Sequence, residues 1–559
     1  MSLNATIAPA RRPSLRWRPS TRFIWASILG AILVALPILA LAWTALSPAA
    51  AEIWPHLAAN VIPVALMNTV ALLLGVGLLC CLTGVGTAWL VTQYEFPGRA
   101  AFEWLLVLPL AIPTYITAYI YVEFLGFQGP LQAAFRALTG YRSLRDYWFP
   151  DPRNLAGAIF VMGIVLYPYV YLSVRALFGL QSATIVESAR TLGASRWPLF
   201  WRIGLPMARP ALAAGLTLAL LETLNDIGAS EYLGVRSLTI SIYTTWLNRN
   251  SLEGAAQIAC VMLVMVIMLI AVEARLRGQR RFAISVRQPR AVGRRPLKGR
   301  KALSAGLACA LPVLLGAALP IGFLASEVLT RGLLFKIDAA LLGNLGNAML
   351  LSGIAAALVV ALGLGIVAAR RHGRESWLPA LTRIASLGYA LPGTVLALGL
   401  LVPLAGFDNA LANTMRAWFG VNPGLVLIGS GAALVIAYVV RFLAIAISGI
   451  ESGLSRVSPR LDDAARALGA NANEVVRRVH WPLARPAIAA AALLVFVDCL
   501  KELPATLLLR PLNLDTLATI VYGHASRGVF EDGALAALLI VLAGLYPAII
   551  LARAGGTRA

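Results

Sequence analysis

Residues 187–214 read ESARTLGASRWPLFWRIGLPMARPALAA, and residues 463–490 read DAARALGANANEVVRRVHWPLARPAIAA. Aligned without gaps at an offset of 276, they agree at 13 of 28 positions, including Arg190/Arg466, Gly193/Gly469, Pro206/Pro482, Arg209/Arg485 and Pro210/Pro486. Earlier in the chain, Asn68 and Pro113 match Asn347 and Pro392 at an offset of 279. The 559 residues are therefore read as two homologous halves.

The composition decides what the halves are. Apolar residues make up 59% of the chain and charged ones 13%, whereas soluble domains carry about 25% charged residues. So few charges cannot cover the surface of a soluble protein of this size, and the chain is read as an all-α polytopic membrane protein. A run near 20 residues crosses about 30 Å of hydrocarbon as a helix. Twelve such runs are predicted, at 22–44, 68–91, 101–126, 155–177, 210–232, 255–274, 303–326, 347–369, 380–404, 424–447, 486–508 and 533–552. The first is too long for a signal-peptide core and is read as an uncleaved helix. The expected organisation is a tail over 1–21, a six-helix half over 22–274, a linker over 275–302 and a second six-helix half over 303–559. Because six is even, both halves enter the membrane in the same sense, and their pseudo-two-fold axis lies along the membrane normal.

The net charge of +22 reports orientation. With the N-terminus placed in the cytosol, 35 of the 47 Lys/Arg fall on the cytosolic side, so both termini are expected inside. The basic linker obeys that rule, and contact with anionic lipid adds to it. Nucleic-acid binding is not expected, since the linker has no aromatic interleaving beyond Phe282 and no recognisable module. Cys80, Cys81, Cys260, Cys309 and Cys499 lie in apolar runs without metal spacing and read as packing residues. The histidines His56, His372, His480 and His524 are scattered in sequence and are assigned surface or interface roles. With no catalytic constellation, the chain is not expected to be an enzyme, and no metal site is assigned.

The duplicated stretch lies in the fourth connection of each half, on the expected cytosolic side, and is too polar to span. It reads as a short amphipathic helix with Glu187, Ala189 and Arg190, a turn at Gly193, and prolines that set up the next span. Small residues four apart let a partner approach closely, so two copies form a docking surface for two copies of one partner or for a symmetric dimer. The pattern E-A-A, three residues, G, nine residues, I-x-L-P resembles the signature loop of binding-protein-dependent ABC importer permeases. The first copy fits through Glu187, Ala189, Gly193, Ile203 and Pro206, and the second through Asp463, Ala465, Gly469, Val479 and Pro482, with Asp463 and Trp481 departing from the pattern. The resemblance covers about 60–275 and 340–555. It implies the type I importer fold, coupling helices that dock two copies of a cytosolic ATPase subunit, a periplasmic binding protein, and a bacterial inner-membrane location. No cofactor is expected on this chain. A phosphate-binding loop needs G-x-x-x-x-G-K-[ST], and none of Lys298, Lys301, Lys336 and Lys501 sits in one, so ATP is consumed by the partner. An ion-gradient transporter can share two parallel six-span halves; the duplicated loop favours the importer.

Intramembrane charge marks function by default. Glu222 and Asp226 match Asp498 and Glu502 at the offset of 276. Each pair is spaced i, i+4 and is expected on one helix face, lining a cation path; the other reading is a set of structural ion pairs, with Lys501 neutralising Asp498 or Glu502 and Glu222 bonded to a neighbouring helix. Tyr115 and Tyr119, one turn apart with Glu123 nearby, either face the path as hard-cation ligands or anchor the interface, as Tyr167, Tyr169 and Tyr171 do in the latter case. The stretches Leu221–Val235 and Lys501–Pro511 resemble the fused permeases of ferric-iron importers; fused permeases for thiamine and 2-aminoethylphosphonate share the architecture.

Overall fold

A computed structural model describes residues 21–143, 145–180, 198–277, 294–373, 375–455 and 457–554. Among them, eleven helices are long and apolar enough to cross a membrane, and a bent pair makes a twelfth span. In chain order, spans one to six are Thr21–Ala45, Pro48–Gln93, the pair Arg99–Ala111 and Thr114–Thr139, Leu155–Gly179, Leu199–Asn225 and Leu252–Arg277. Spans seven to twelve are Arg300–Thr330, Ala339–His372, Gly393–Phe419, Ala432–Ser455, Ala472–Leu500 and Phe530–Ile549.

Four of the continuous spans expected from hydropathy are broken, in matched pairs. Span three bends by 91° between Ala111 and Thr114. The cause is Pro113, which has no N–H to continue the helix and pushes Ile112 to φ −101°, ψ 120°. In the second half Leu378–Ser386 and a turn over Leu387–Ala390 stop before Pro392, with Leu391 at ψ 121°, and span nine starts afresh at Gly393. Span five ends at Asn225, and a short helix Ile227–Tyr232 follows. Span eleven ends at Leu500, and Pro504–Leu509 follows. Free backbone groups at membrane depth are tolerated only where they line a cavity or are buried in protein.

The two halves interlock. Span one packs on spans eight, nine and ten of the other half, and span seven packs on spans three and four of the first. With no hydrophobic drive between helices in lipid, association rests on close packing of small residues. Gly399 touches the Pro37 backbone so closely that a Cβ there would lie 2.3 Å from the Pro37 carbonyl oxygen. At Gly316 of span seven a Cβ would lie 2.6 Å from the Ile164 carbonyl oxygen. The linker end is tied down as well: Arg295–Pro296 pairs in parallel with Tyr94–Glu95. Placing Val at Gly399 forces span one outward, at a cost of about 1–3 kcal/mol for overpacking. The expected outcome is a lower Tm of the detergent-solubilised protein; an unchanged Tm would show that this contact does not hold the halves together.

The pseudo-axis is visible in side chains. Tyr243 and Tyr522, 279 residues apart like Asn68 and Asn347, meet hydroxyl to hydroxyl at 3.3 Å.

Candidate functional site

The broken ends of spans three, five and eleven converge on a cavity of about 80 Å³ between the halves, walled further by spans four and ten, room for a few waters or a small, partly hydrated ion. Glu222, Asp226, Asp498 and Glu502 line it, with Arg441 and Lys501 as the lining cations. The fold therefore brings all four acids of the matched pairs together, but not in the way their spacing suggests. Asp226 and Glu502 lie past the ends of their spans, so neither pair shares a helix face. Asp226 caps the next short helix, accepting the Ala229 N–H at 2.8 Å and the Thr114 hydroxyl. Glu502 does the same work, accepting from Ala505 N and Thr506 N at 3.0 Å each. A carboxylate at a helix start satisfies donors that the helix itself leaves open.

The cations are already engaged. Arg441 Nη1 donates to Asn225 Oδ1 at 2.8 Å and to Glu502 Oε1 at 3.3 Å, so it ties the end of span five to the other half. Asn225 Oδ1 also accepts the Gly393 N–H at 2.6 Å, at the start of span nine. Lys501 pairs with Asp498 at 2.8 Å, and the Tyr389 hydroxyl donates to Glu222 Oε1 at 2.8 Å. Structural pairing thus accounts for Asp498, Glu502 and Lys501. Glu222 and Asp226 make no ion pair among the described residues, and the lining keeps an excess of negative charge. Arg441, inside the run predicted to span at 424–447 but counted among the cytosolic Lys/Arg in the charge tally, is 5% exposed within span ten. The signal was an arginine inside the apolar run VIAYVVRFLAIAI.

The tyrosines do not anchor an interface. Tyr115, Tyr119, Tyr167 and Tyr171 are buried in the core, and Tyr169 lines the charged cavity together with Tyr115. Tyr119 lines a second cavity of about 310 Å³ with Glu231, Tyr232, Tyr522 and one cation, Arg153, which stacks over the Tyr232 ring at 5.4 Å. There the Tyr522 hydroxyl donates to Glu231 at 2.7 Å and the Tyr232 hydroxyl to Glu123 at 3.0 Å. The hydroxyls of Tyr115 and Tyr119 are buried with no hydrogen-bond partner among the described residues. Gly228 lines both cavities, so they adjoin. Phenol and carboxylate oxygens together suit hard cations.

Of the two signature segments, Glu187, Ala189 and Gly193 lie outside the described residues. Ile203 sits in the turn Leu199–Gly204 and Pro206 in the first turn of the helix Leu205–Asn225. The second copy is described in full. Ser458 and Pro459 open a helix that runs to Ala467. Gly469, at φ +85°, closes it: Ala470 N–H donates to Ala465 O at 3.0 Å and Gly469 N–H to Arg466 O at 2.9 Å, the paired bonds of a Schellman end. Asp463, Leu461 and Leu468 are exposed on this segment, Leu468 at 88%. Val479 packs against the core of the second half and Pro482 starts span eleven's last helix, Trp481–Leu500. The segment is held to span eight through Asp462, which accepts from Arg371 Nε at 2.7 Å and sits 2.8 Å from His480 Nε2. Burial pushes the Asp462 pKa up, but the bonds from His480 and Arg371 outweigh it and hold the carboxyl below its ordinary value. His372 and His480, far apart in sequence, are both buried and stack at 5.3 Å.

The family model of the binding-protein-dependent transport system inner membrane component matches residues 81–277 and again 361–554. The Fe(3+)-transport system permease protein FbpB 2 of Haemophilus influenzae is 26% identical over 491 residues, covering 87% of this chain and 89% of that protein. The molybdenum transport system permease protein ModB of Escherichia coli is 28% identical over 184 residues, covering 32% of this chain and 77% of that protein. The sulfate transport system permease protein CysT of Escherichia coli is 31% identical over 153 residues, covering 27% of this chain and 51% of that protein.

Proposed function

We propose that this chain, which belongs to the family of binding-protein-dependent transport system inner membrane components, carries ferric iron into the cell through the passage between its two halves. As a permease subunit of an ABC importer it is not an enzyme. Membership implies an ATPase and a binding protein as partners; in our reading two ATPase copies dock on the segments around Gly193 and Gly469, and both termini face the cytosol. The observation that carries the cation reading is the acid excess in the central cavity. A doubly charged oxyanion such as sulfate would meet Glu222 and Asp226 uncompensated, since Arg441 and Lys501 are already paired with Glu502 and Asp498. The adjoining tyrosine and glutamate oxygens supply donors for a hard cation on the same route, and a relative that spans both halves is named for Fe(3+) transport.

The test is uptake of labelled iron by a strain lacking this chain and complemented with it. Wild-type protein restores uptake only when the ATPase is intact. The double variant Glu222→Gln, Asp226→Asn keeps its membrane level but loses about tenfold or more in uptake, as expected when roughly 1.4 kcal/mol of cation stabilisation is removed. Full uptake by that variant would assign both acids a purely structural role. Restoration of thiamine but not iron uptake would replace the substrate, and uptake driven by an ion gradient without ATP would replace the mechanism.

A further inference from the structure

Three buried side chains meet where the second coupling segment joins the membrane domain. His372 is the last residue of span eight, Asp462 lies on the helix Pro459–Ala467, and His480 ends the turn Val476–His480. One ligand atom from each falls within 4.8 Å of the others. Two imidazoles and one carboxylate with open positions are the donor set of Fe(II) sites, and the same donors suit Zn2+. A tetrahedral ion at about 2.0–2.2 Å from its ligands asks for roughly 3.4 Å between donors, and the two imidazoles, now stacked at 23°, must turn for both lone pairs to converge on it.

The surroundings are those of ligands rather than of packing residues. His372 Nδ1 lies 3.0 Å from the Ala368 carbonyl oxygen; an N–H donated there fixes the tautomer and leaves Nε2 with the lone pair. Arg371 occupies Asp462 Oδ2, so Oδ1 is the oxygen left to an ion. His480 is 1% exposed, and its Nδ1 has no hydrogen-bond partner among the described residues. Its one polar contact, to Asp462, does not account for burying both nitrogens. The corresponding positions of the first half, at offsets of 279 and 276, are Gln93, Val186 and Gly204. The duplicated machinery therefore does without this triad in one of its two copies, so the triad is an addition to the second coupling segment and not a requirement of the fold.

We propose that His372, Asp462 and His480 bind one divalent transition-metal ion of the Fe2+ or Zn2+ kind, and that the bound ion ties the 459–480 segment to span eight and slows the ATP-driven cycle. The slowing rests on the reading of 459–467 as an ATPase-docking helix; the binding does not. A product-sensing role follows from the ferric-iron reading: imported iron, once a cytosolic one-electron reductant such as a thiol or reduced flavin has taken Fe3+ to Fe2+, reaches a site on the segment that drives its own import.

Co2+ is the probe for binding, added to the purified full-length chain. The expected result is one equivalent bound, with visible ligand-field bands free of thiolate charge transfer, displaced by Zn2+ and, only at large excess, by anaerobic Fe2+. His480→Ala and His372→Ala abolish the bands. Failure of the wild-type chain to bind Co2+, or equal binding by His480→Ala, overturns the site without any appeal to how the variants fold. In the assembled importer, Zn2+ is expected to lower ATPase turnover several-fold for wild type and not for His480→Ala. Binding without that inhibition overturns the restraint, while leaving both the site and the transport reading intact.

Discussion

Replacing Arg441 with Met is expected to unfold the interface between the halves rather than to reshape a transport path. Arg441 and Glu502 are 5% and 4% exposed. Breaking a buried pair by removing one partner costs about 3–5 kcal/mol, because the other charge is left behind. Here the loss is wider than one pair. Glu502 also caps the helix Pro504–Leu509, and Asn225 loses the guanidinium that holds it beside Gly393. Three broken helix ends therefore loosen together. The measurement is Tm of the purified chain and the amount recovered from membranes: Arg441→Met should fall steeply in both. Adding Glu502→Gln to Arg441→Met should restore part of the loss, since a neutral amide no longer leaves a charge unpaired, while Glu502→Gln alone should be milder than Arg441→Met. A Tm for Arg441→Met equal to that of wild type would mean that water or lipid already solvates Glu502, and the cavity would then be open rather than tied.

What the sequence displays of this site divides along a physical line. The four acids were legible because a carboxylate in an apolar run is costly and rare, and because duplication repeats it at a fixed offset. Their relation to one another was not. Spacing i, i+4 predicts a shared face only if the helix continues, and the breaks at Asp226 and Glu502 are made by those same carboxylates acting as caps. The proline breaks at Pro113 and Pro392 carried a visible signal, two matched prolines inside long apolar runs, that hydropathy averages away. Interlocking of the halves left no trace in either half read alone: Gly316 and Gly399 look like any glycine of a membrane helix until the opposing backbone is known. The same holds for His372 and His480, which are separated by more than a hundred residues and meet only because spans eight and eleven pack side by side. The coupling segment was the opposite case. Its helix and glycine stop were legible as local chemistry, and the Ser458–Pro459 start and the Asn471–Glu474 capping box are equally local signals that the repeat alone does not point to.

Gly469→Arg should insert, assemble its spans and still fail to transport. The position is exposed at φ +85°, and a Cβ there meets nothing within 4 Å of this chain. The side chain therefore costs this chain only the backbone term, about 1–2 kcal/mol for a residue held left-handed, at the edge of the fold where the global Tm hardly feels it. A docked ATPase meets the arginine directly, beside Leu468, whose 88% exposure leaves an apolar side chain on the surface for a partner to cover. Uptake should drop by about tenfold or more, the equivalent of roughly 1.4 kcal/mol of coupling, while ATPase activity in the mixed complex becomes insensitive to substrate. Leu468→Asp should act in the same direction for the complementary reason, by placing a charge where the partner buries a leucine. The control is Gly469→Asn, since asparagine accepts the left-handed conformation at little cost and adds modest bulk. If Gly469→Asn transports like wild type and Gly469→Arg does not, the loss lies in docking; if both fail alike, the Schellman end has no tolerance for any side chain and the segment acts through its own shape. Full transport by Gly469→Arg would remove the ATPase from this surface altogether, and the exposed leucines would need another partner.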